Sequence, residues 1–195
     1  MEKTRCAWVH DQPEIYVRYH DEQWGVPVHD DRLLFQKLVL DGAQAGLSWL
    51  TILKKRENYI EAFDGFHIET VASYDEKKIN QLLSNPGIVR NRLKIRSAVK
   101  NAQVCIQIQK EFGSFDAYLW GFTNGKTING NHRELSSVPV KNQLSDCISK
   151  DLKKRGMSFV GSTIIYAYLQ AIGVINDHTT DCFRYSEIIE SQDPG

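Results

Sequence analysis

Apolar residues recur every three or four positions along most of the chain, the period of helices with one buried face. Leu34, Phe35, Leu38 and Val39 define the first such face, and Leu50, Leu53, Ile60 and Phe63 the second. Gly42 to Gly46 reads as a bend between these two helices. Asp30 or Asp31 is placed to cap the first, which should run to about Leu40, and Asp64-Gly65 ends the second. Residues 68–73 are a short apolar stretch. Asp75 caps another helix, with Ile79, Leu82 and Leu83 on one face and Asn85-Pro86-Gly87 as its breaker. A long helix should begin near Arg90, carry Ile95, Ala98, Val99, Ala102 and Ile106, and end at Gly113; Phe115 to Phe122 predicts a short one. Residues 123–141 read as a surface loop with room for a short extended pair, since Asn124-Gly125-Lys126, Gly130 and Pro139 break any regular pattern. Helix resumes from about Gln143 to Lys154-Arg155, with Gly156 in the C-cap position. Residues 162–172 are apolar almost all round, which predicts a central buried helix closed by Gly173. The fold class is all-α.

The two ends behave differently. Cys6, Trp8, Tyr16, Tyr19, His20, Trp24 and His29 crowd into residues 1–29 without a regular period, which suggests an irregular strap laid over the core. The last residues are polar and expected to be disordered. The division expected is a single helical domain over residues 1–185 and a tail over 186–195.

Composition narrows the class. At 195 residues, 42% hydrophobic and 25% charged, the chain can bury a substantial core. No apolar run is long enough for a transmembrane helix, and Met1 to Cys6 lacks the apolar centre of a signal peptide, so a cytoplasmic protein is expected. Four cysteines do not make a disulfide framework; Cys105 and Cys147 fall in helical patterns and read as buried thiols. Net charge is zero, yet six cations and no acid lie between Pro86 and Lys110 (Arg90, Arg92, Lys94, Arg96, Lys100, Lys110). Such a face suits phosphate, and equally an ordinary solvated helix.

Three groupings could carry chemistry. Cys6 and His20 near one end, with His178 and Cys182 near the other, offer two thiolates and two imidazoles, the set that tetrahedral zinc prefers. A helix-capping His and a buried Cys would explain the second pair as well. The turn Asn85-Pro86-Gly87-Ile88-Val89 precedes a basic helix, a helix–hairpin–helix pattern able to hold a sugar-phosphate backbone without reading sequence. There Pro presets the turn and Gly87 permits positive φ. Finally, Asp41, Gln44, Gly46, Leu47 and Trp49 stand within nine residues, followed by Lys54, Lys55 and Arg56. With Trp8, Tyr16 and Tyr19 they could stack a flat cationic base, since an indole face attracts positive charge; core aromatics at a tight turn are the alternative.

Taken together, the segments at residues 5–9 (Arg-Cys-Ala-Trp-Val), 19–27, 44–59, 87–92, 152–161 and 176–178 (Asn-Asp-His) resemble the bacterial DNA-3-methyladenine glycosylase I family, in order, from about residue 5 to 183. The resemblance implies an all-helical member of the helix–hairpin–helix glycosylase superfamily that cuts the N-glycosidic bond of 3-methyladenine in double-stranded DNA during base excision repair. It implies structural zinc on Cys6, His20, His178 and Cys182. It also implies a base pocket of Tyr16, Tyr19 and Trp49 with Trp8 close by, a wedge at Gly46 and Leu47, and backbone contacts at Gly87, Arg90 and Arg92. A wedge is required because a base must leave the stack to enter a pocket.

One position departs from the family, which usually has Glu where this chain has Asp41. The charge is kept, but the reach shortens by roughly 1.3 Å. Many superfamily members also carry an Asp further along the chain after the hairpin; here none lies between Gly87 and Gly113. Catalysis is therefore expected to rest on base binding, with Asp41 and phosphates helping electrostatically. No Lys stands at the matching place after the hairpin, so no lyase activity is expected. A monomer is expected. Two other readings remain open: a zinc-stabilised DNA-binding module without excision, and a hydrolase using the Cys/His set catalytically.

Overall fold

A computed structural model describes residues 3–192, leaving outside the two residues that open the N-terminal segment and residues 193–195 of the expected tail. The helices are α1 Glu14–Glu22, α2 Asp31–Gln44, α3 Trp49–Ala62, α4 Ile68–Ala72, α5 Glu76–Ser84, α6 Arg92–Phe112, α7 Phe115–Gly121, α8 Gln143–Lys154, α9 Ser162–Ala171 and α10 Phe183–Glu190. Side chains close the orphan N–H groups at several starts: Asp30 accepts from Leu33, Ser48 from Thr51, Asp75 from Lys78 and Asn91 from Lys94. Asp31 has another task. Its carboxylate accepts from the N–H groups of Phe115 and Asp116 at 2.9 and 2.8 Å, pinning the start of α7 to the start of α2.

Helices α2, α6 and α9 form the interior. Leu34, Phe35 and Leu38 of α2, Ala98, Ala102 and Ile108 of α6, and Ile165, Tyr168 and Leu169 of α9 are all but fully buried. Each large apolar side chain buried this way contributes about 1.5–3 kcal/mol. The Tyr168 hydroxyl donates to the Leu34 carbonyl at 3.0 Å, so α9 is also polar-bonded to α2 through the core. Helix α4 packs on α6, α8 on α9, and α2 on both α3 and α9. No helix among the described residues is long and apolar enough to cross a membrane.

Several sequence expectations need correction. The N-terminal segment is not an irregular strap throughout: a short 3₁₀ turn at Ala7–Val9 leads into α1, whose buried residues are Tyr19 and His20. Its apolar spacing, Tyr16 to Tyr19 and His20, is helical but too short and too interrupted by charge to stand out. Helix α2 continues past Leu40 to Gln44, so Gly42 lies inside it and the bend is 45–48. Helix α10 takes up residues assigned to a disordered tail, anchored by buried Ile188. The extended pair does not close within residues 123–141. Its strand β1, Ile128–Asn129, pairs in parallel with β2, Ile175–Asn176, which follows α9. Cys147 is exposed, because α8 turns Ile148, Ser149 and Leu152 inward instead.

Candidate active site

The last turn of α2 places Asp41 under the bend, and the first turn of α3 places Trp49 beside it. Helix α1 brings Tyr16 and Tyr19 across from them, and the 3₁₀ turn adds Trp8. These five side chains line one cavity of about 160 Å³, together with Trp24, Gln44, Ala167 and Gln170. The rings interlock. Trp8 meets Tyr16 edge-to-face at 5.3 Å and Trp24 at 5.1 Å, and Tyr19 lies 5.2 Å from Trp49. Aromatic walls with one carboxylate suit a flat, electron-poor ring.

Two polar atoms here are buried without a hydrogen-bond partner among the described residues: Asp41 Oδ2 and Trp49 Nε1. Buried acceptors and donors are ordinarily paired, so an unpaired one in a cavity is aimed at something else. Burial raises the Asp41 carboxyl to about 7, and Lys37 partly opposes that rise. Asp41 also borders two further spaces. One, of about 180 Å³, lies under the bend at Gly46 and Leu47, and the other, of about 510 Å³, lies on the far side of Tyr19 and Trp49.

The bend itself projects outward. Gly46 has φ +77°, and a Cβ there would meet nothing within 4 Å, so backbone conformation and not crowding asks for glycine. Leu47 is 41% exposed, a large apolar side chain at the tip of the bend. Lys94 holds the bend from below, donating to the carbonyls of Ala43 and Ala45 at 2.8 and 2.6 Å.

The four Cys/His residues, distant in sequence, come together. Their ligand atoms all lie within 4.8 Å of one another and all four residues are buried. Cys6 Sγ is 3.4 Å from His178 Nδ1, and Cys182 Sγ is 3.5 Å from both His178 Nδ1 and His20 Nε2. Bond lengths of about 2.3 Å to sulfur and 2.1 Å to nitrogen in a tetrahedron imply S···N edges of about 3.6 Å, so the set fits a metal such as zinc. The outer nitrogens are fixed as well. His20 Nδ1 meets Asp21 Oδ1 at 2.8 Å, His178 Nε2 meets the Trp24 carbonyl at 3.0 Å, and Arg5 grips the Asp21 carboxylate at 2.8–3.0 Å. Such outer partners orient metal-binding imidazoles. The thiols are unequal: the Cys6 hydrogen bond, then His178 and His20, favours ionised Cys182, while the same bond and burial keep the proton on Cys6. Trp8 packs edge-on to His20 at 5.1 Å, so the cluster buttresses the aromatic pocket.

Between α5 and α6 the 85–91 turn is clamped to α3. Lys55 donates to the carbonyls of Pro86 and Gly87 at 3.0 and 3.3 Å, and Tyr59 Oη accepts from the Val89 N–H at 3.1 Å. Gly87 does not take the positive φ expected of it. It is needed because a Cβ would come within 3.0 Å of Asn58 Cβ. Arg90 is exposed, whereas Arg92 reaches Asn80 at 3.4 Å and Arg96 pairs with Glu76 at 2.8 Å. The basic face is thus partly neutralised by α5, which the run of cations from Pro86 to Lys110 did not reveal.

Gln170 and Lys37 were not among the sequence candidates, and Trp24 was noted only as one of the N-terminal aromatics. Gln170 carried a signal, as the long polar side chain in the otherwise apolar stretch 164–172. Lys37 carried a weaker one, standing one helical turn before Asp41 on a buried helix.

The family description "methyladenine glycosylase" matches residues 8–185. A DNA-3-methyladenine glycosylase of Haemophilus influenzae is 44% identical over 179 residues, covering 92% of this chain and 96% of its own length. DNA-3-methyladenine glycosylase 1 of Escherichia coli is 42% identical over 181 residues, covering 93% and 96%. A crystal structure of a tyrosine-to-phenylalanine variant of 3-methyladenine DNA glycosylase I in complex with 3-methyladenine superposes with a TM-score of 0.88, at 38% identity, over 92% of this chain and 96% of that one. The fold, the matched span and these relatives agree: the chain belongs to the methyladenine glycosylase family of DNA glycosylases.

Proposed function

We propose that the chain is a monofunctional glycosylase that flips 3-methyladenine out of double-stranded DNA and hydrolyses its N-glycosidic bond. The observation that carries this reading is an unpaired acceptor, Asp41 Oδ2, and an unpaired donor, Trp49 Nε1, on two residues that line one aromatic cavity. The extruded base stacks against Tyr16, Tyr19 and Trp49, with Trp8 completing the wall, and Asp41 accepts from its exocyclic amine. N3-methylation makes the purine cationic in DNA, so it leaves neutral and needs no general acid. The site has only to hold the base and offset the positive charge developing on the sugar.

The exposed Leu47 on the Gly46 bend fills the space the base vacates. The hairpin at 85–91 seats a phosphate, with Gly87 keeping the turn tight against α3 and Arg90 and Arg92 supplying charge. Cys6, His20, His178 and Cys182 hold a structural zinc. All four positions of a tetrahedron would be filled by protein, so the metal serves to fix the N-terminal segment against α10 and not to activate water. Among the described residues no lysine lines the base pocket, in keeping with hydrolysis without strand cleavage. A cytoplasmic monomer with one helical domain is sufficient for this work.

Asp41→Asn tests the reading. Excision from methylated duplex should fall about 10²-fold or more, the scale of losing one group aimed at a transition state, while duplex affinity holds. Unchanged excision would overturn the pocket assignment.

A further inference from the structure

The larger chamber behind Tyr19 and Trp49 holds a feature the base pocket does not explain. Lys37, on α2 one turn before Asp41, lines this chamber and not the base pocket. Its ammonium donates to the Ala171 carbonyl at 3.2 Å and lies 5.9 Å from the centre of the Tyr19 ring. Lys37 is half-buried, and enclosing even part of a lysine's charge is costly unless it meets an opposite one. Residues four apart on a helix share a face, so Lys37 and Asp41 point into the same space.

The other charged groups around the chamber have partners of their own, and the Arg56 charge works against that of Lys37. Arg56 of α3 donates to Gln23 at 2.5 Å and sits 3.3 Å from Glu57. Glu22 of α1 pairs with Arg18 at 2.9 Å, and Arg32 of α2 donates to the Gly65 carbonyl at 3.2 Å. From α1, Tyr16 and Tyr19 face Asp41 as neutral phenols, since burial raises both. Helix α9 contributes Ala167, Gln170 and Ala171, none of them charged.

We propose that Lys37 is a positioning residue for excision: from the chamber behind the pocket, its ammonium keeps the Asp41 carboxylate ionised without touching the base. This rests on Asp41 being the carboxylate that meets the base. Lys37 is the one charge that opposes the burial of Asp41, and burial lowers Lys37 itself to about 8. Its help is therefore greatest near neutrality and fades as it loses its own proton. Because its ammonium faces the chamber, it is not placed to attack the sugar.

The test measures single-turnover excision and free 3-methyladenine affinity (by tryptophan fluorescence) against pH, in metal-loaded protein. Lys37→Met keeps the stem and removes the charge; Lys37→Gln, a second neutral variant, keeps a donor for the Ala171 carbonyl. Both should lose roughly tenfold in excision at pH 6.5 and less at pH 8.5, moving the acidic limb up by about one pH unit. Lys37→Arg should return the limb to its wild-type position. Superimposable limbs in wild type, Lys37→Met and Lys37→Gln, with Asp41→Asn still inactive, would overturn the role of Lys37 alone. Undiminished excision by Asp41→Asn would instead overturn the pocket reading beneath it. A borohydride-trapped DNA adduct lost in Lys37→Met would replace the positioning role with a nucleophilic one.

Discussion

Asp41→Asn should stabilise the protein while disabling it, and the size of the effect follows from burial. The Asp41 carboxyl is 5% exposed and has an unpaired oxygen, and its pKa rises from the ordinary 3.8 to about 7. A carboxyl raised on folding costs nothing while both states are protonated, below about pH 4. The penalty grows as pH climbs from 3.8 towards 7 and is complete above that. At about 1.4 kcal/mol per pH unit, the full cost approaches about 4 kcal/mol. Asparagine is neutral at every pH but must bury an amide, so the net gain expected at pH 8 is about 2–3 kcal/mol. For a chain of this length that raises Tm by about 4–12 °C. Calorimetry of both proteins at pH 5 and pH 8 measures it. Taking the difference at each pH cancels the titration of the shared Cys/His set. The gap should be clearly larger at pH 8; a gap independent of pH, or an Asn variant less stable at pH 8, would refute the reasoning. The same carboxylate gives excision an acidic limb with a midpoint near pH 7.

Stripping metal from the Cys6, His20, His178 and Cys182 set with a chelator should lower Tm by more than about 10 °C, with recovery on adding zinc, since binding to a folded site is folding energy; an unmoved Tm would refute a structural metal. Arg90→Ala should reduce the salt slope of duplex binding by about one, and Arg92→Ala by less because Arg92 is already engaged with Asn80; equal slopes in all three proteins would remove the hairpin from the DNA interface. Leu47→Ala should slow single-turnover excision at least several-fold, while free 3-methyladenine still binds with wild-type affinity. Loss of both in parallel would mean that Leu47 shapes the pocket and is no wedge.

Much of the fold was legible because its helices announce themselves twice, by period and by cap. Asp75 with Ile79 and Leu82, or the apolar run from Ile164 to Ile172, needed no tertiary knowledge. What was missed depends on partners far away in the chain. Helix α1 buries Tyr19 and His20 only because Trp49 and Cys182 wait across the fold, and nothing local marks those residues as inward. Strand β2 exists through β1, 47 residues earlier by the pairing of Ile128 with Ile175. Asp31 reads as a second cap candidate and proves to be a tether for α7. Within the site, side-chain chemistry was readable and its electrostatics were not. Asp41 stood out as a candidate carboxylate, yet that its Oδ2 has no hydrogen-bond partner among the described residues, and that Lys37 lines the space behind it, are facts of packing. The cation run was misleading in the same way, because Glu76 and Asn80 reach it from the neighbouring helix.

Whether the protein excises 3-methyladenine is decided by base release from methylated duplex DNA, with 3-methyladenine and 7-methylguanine resolved. Free 3-methyladenine should appear well above the spontaneous rate, with little 7-methylguanine. Release no faster than the spontaneous rate, from protein that is folded and metal-loaded, would contradict the proposed activity.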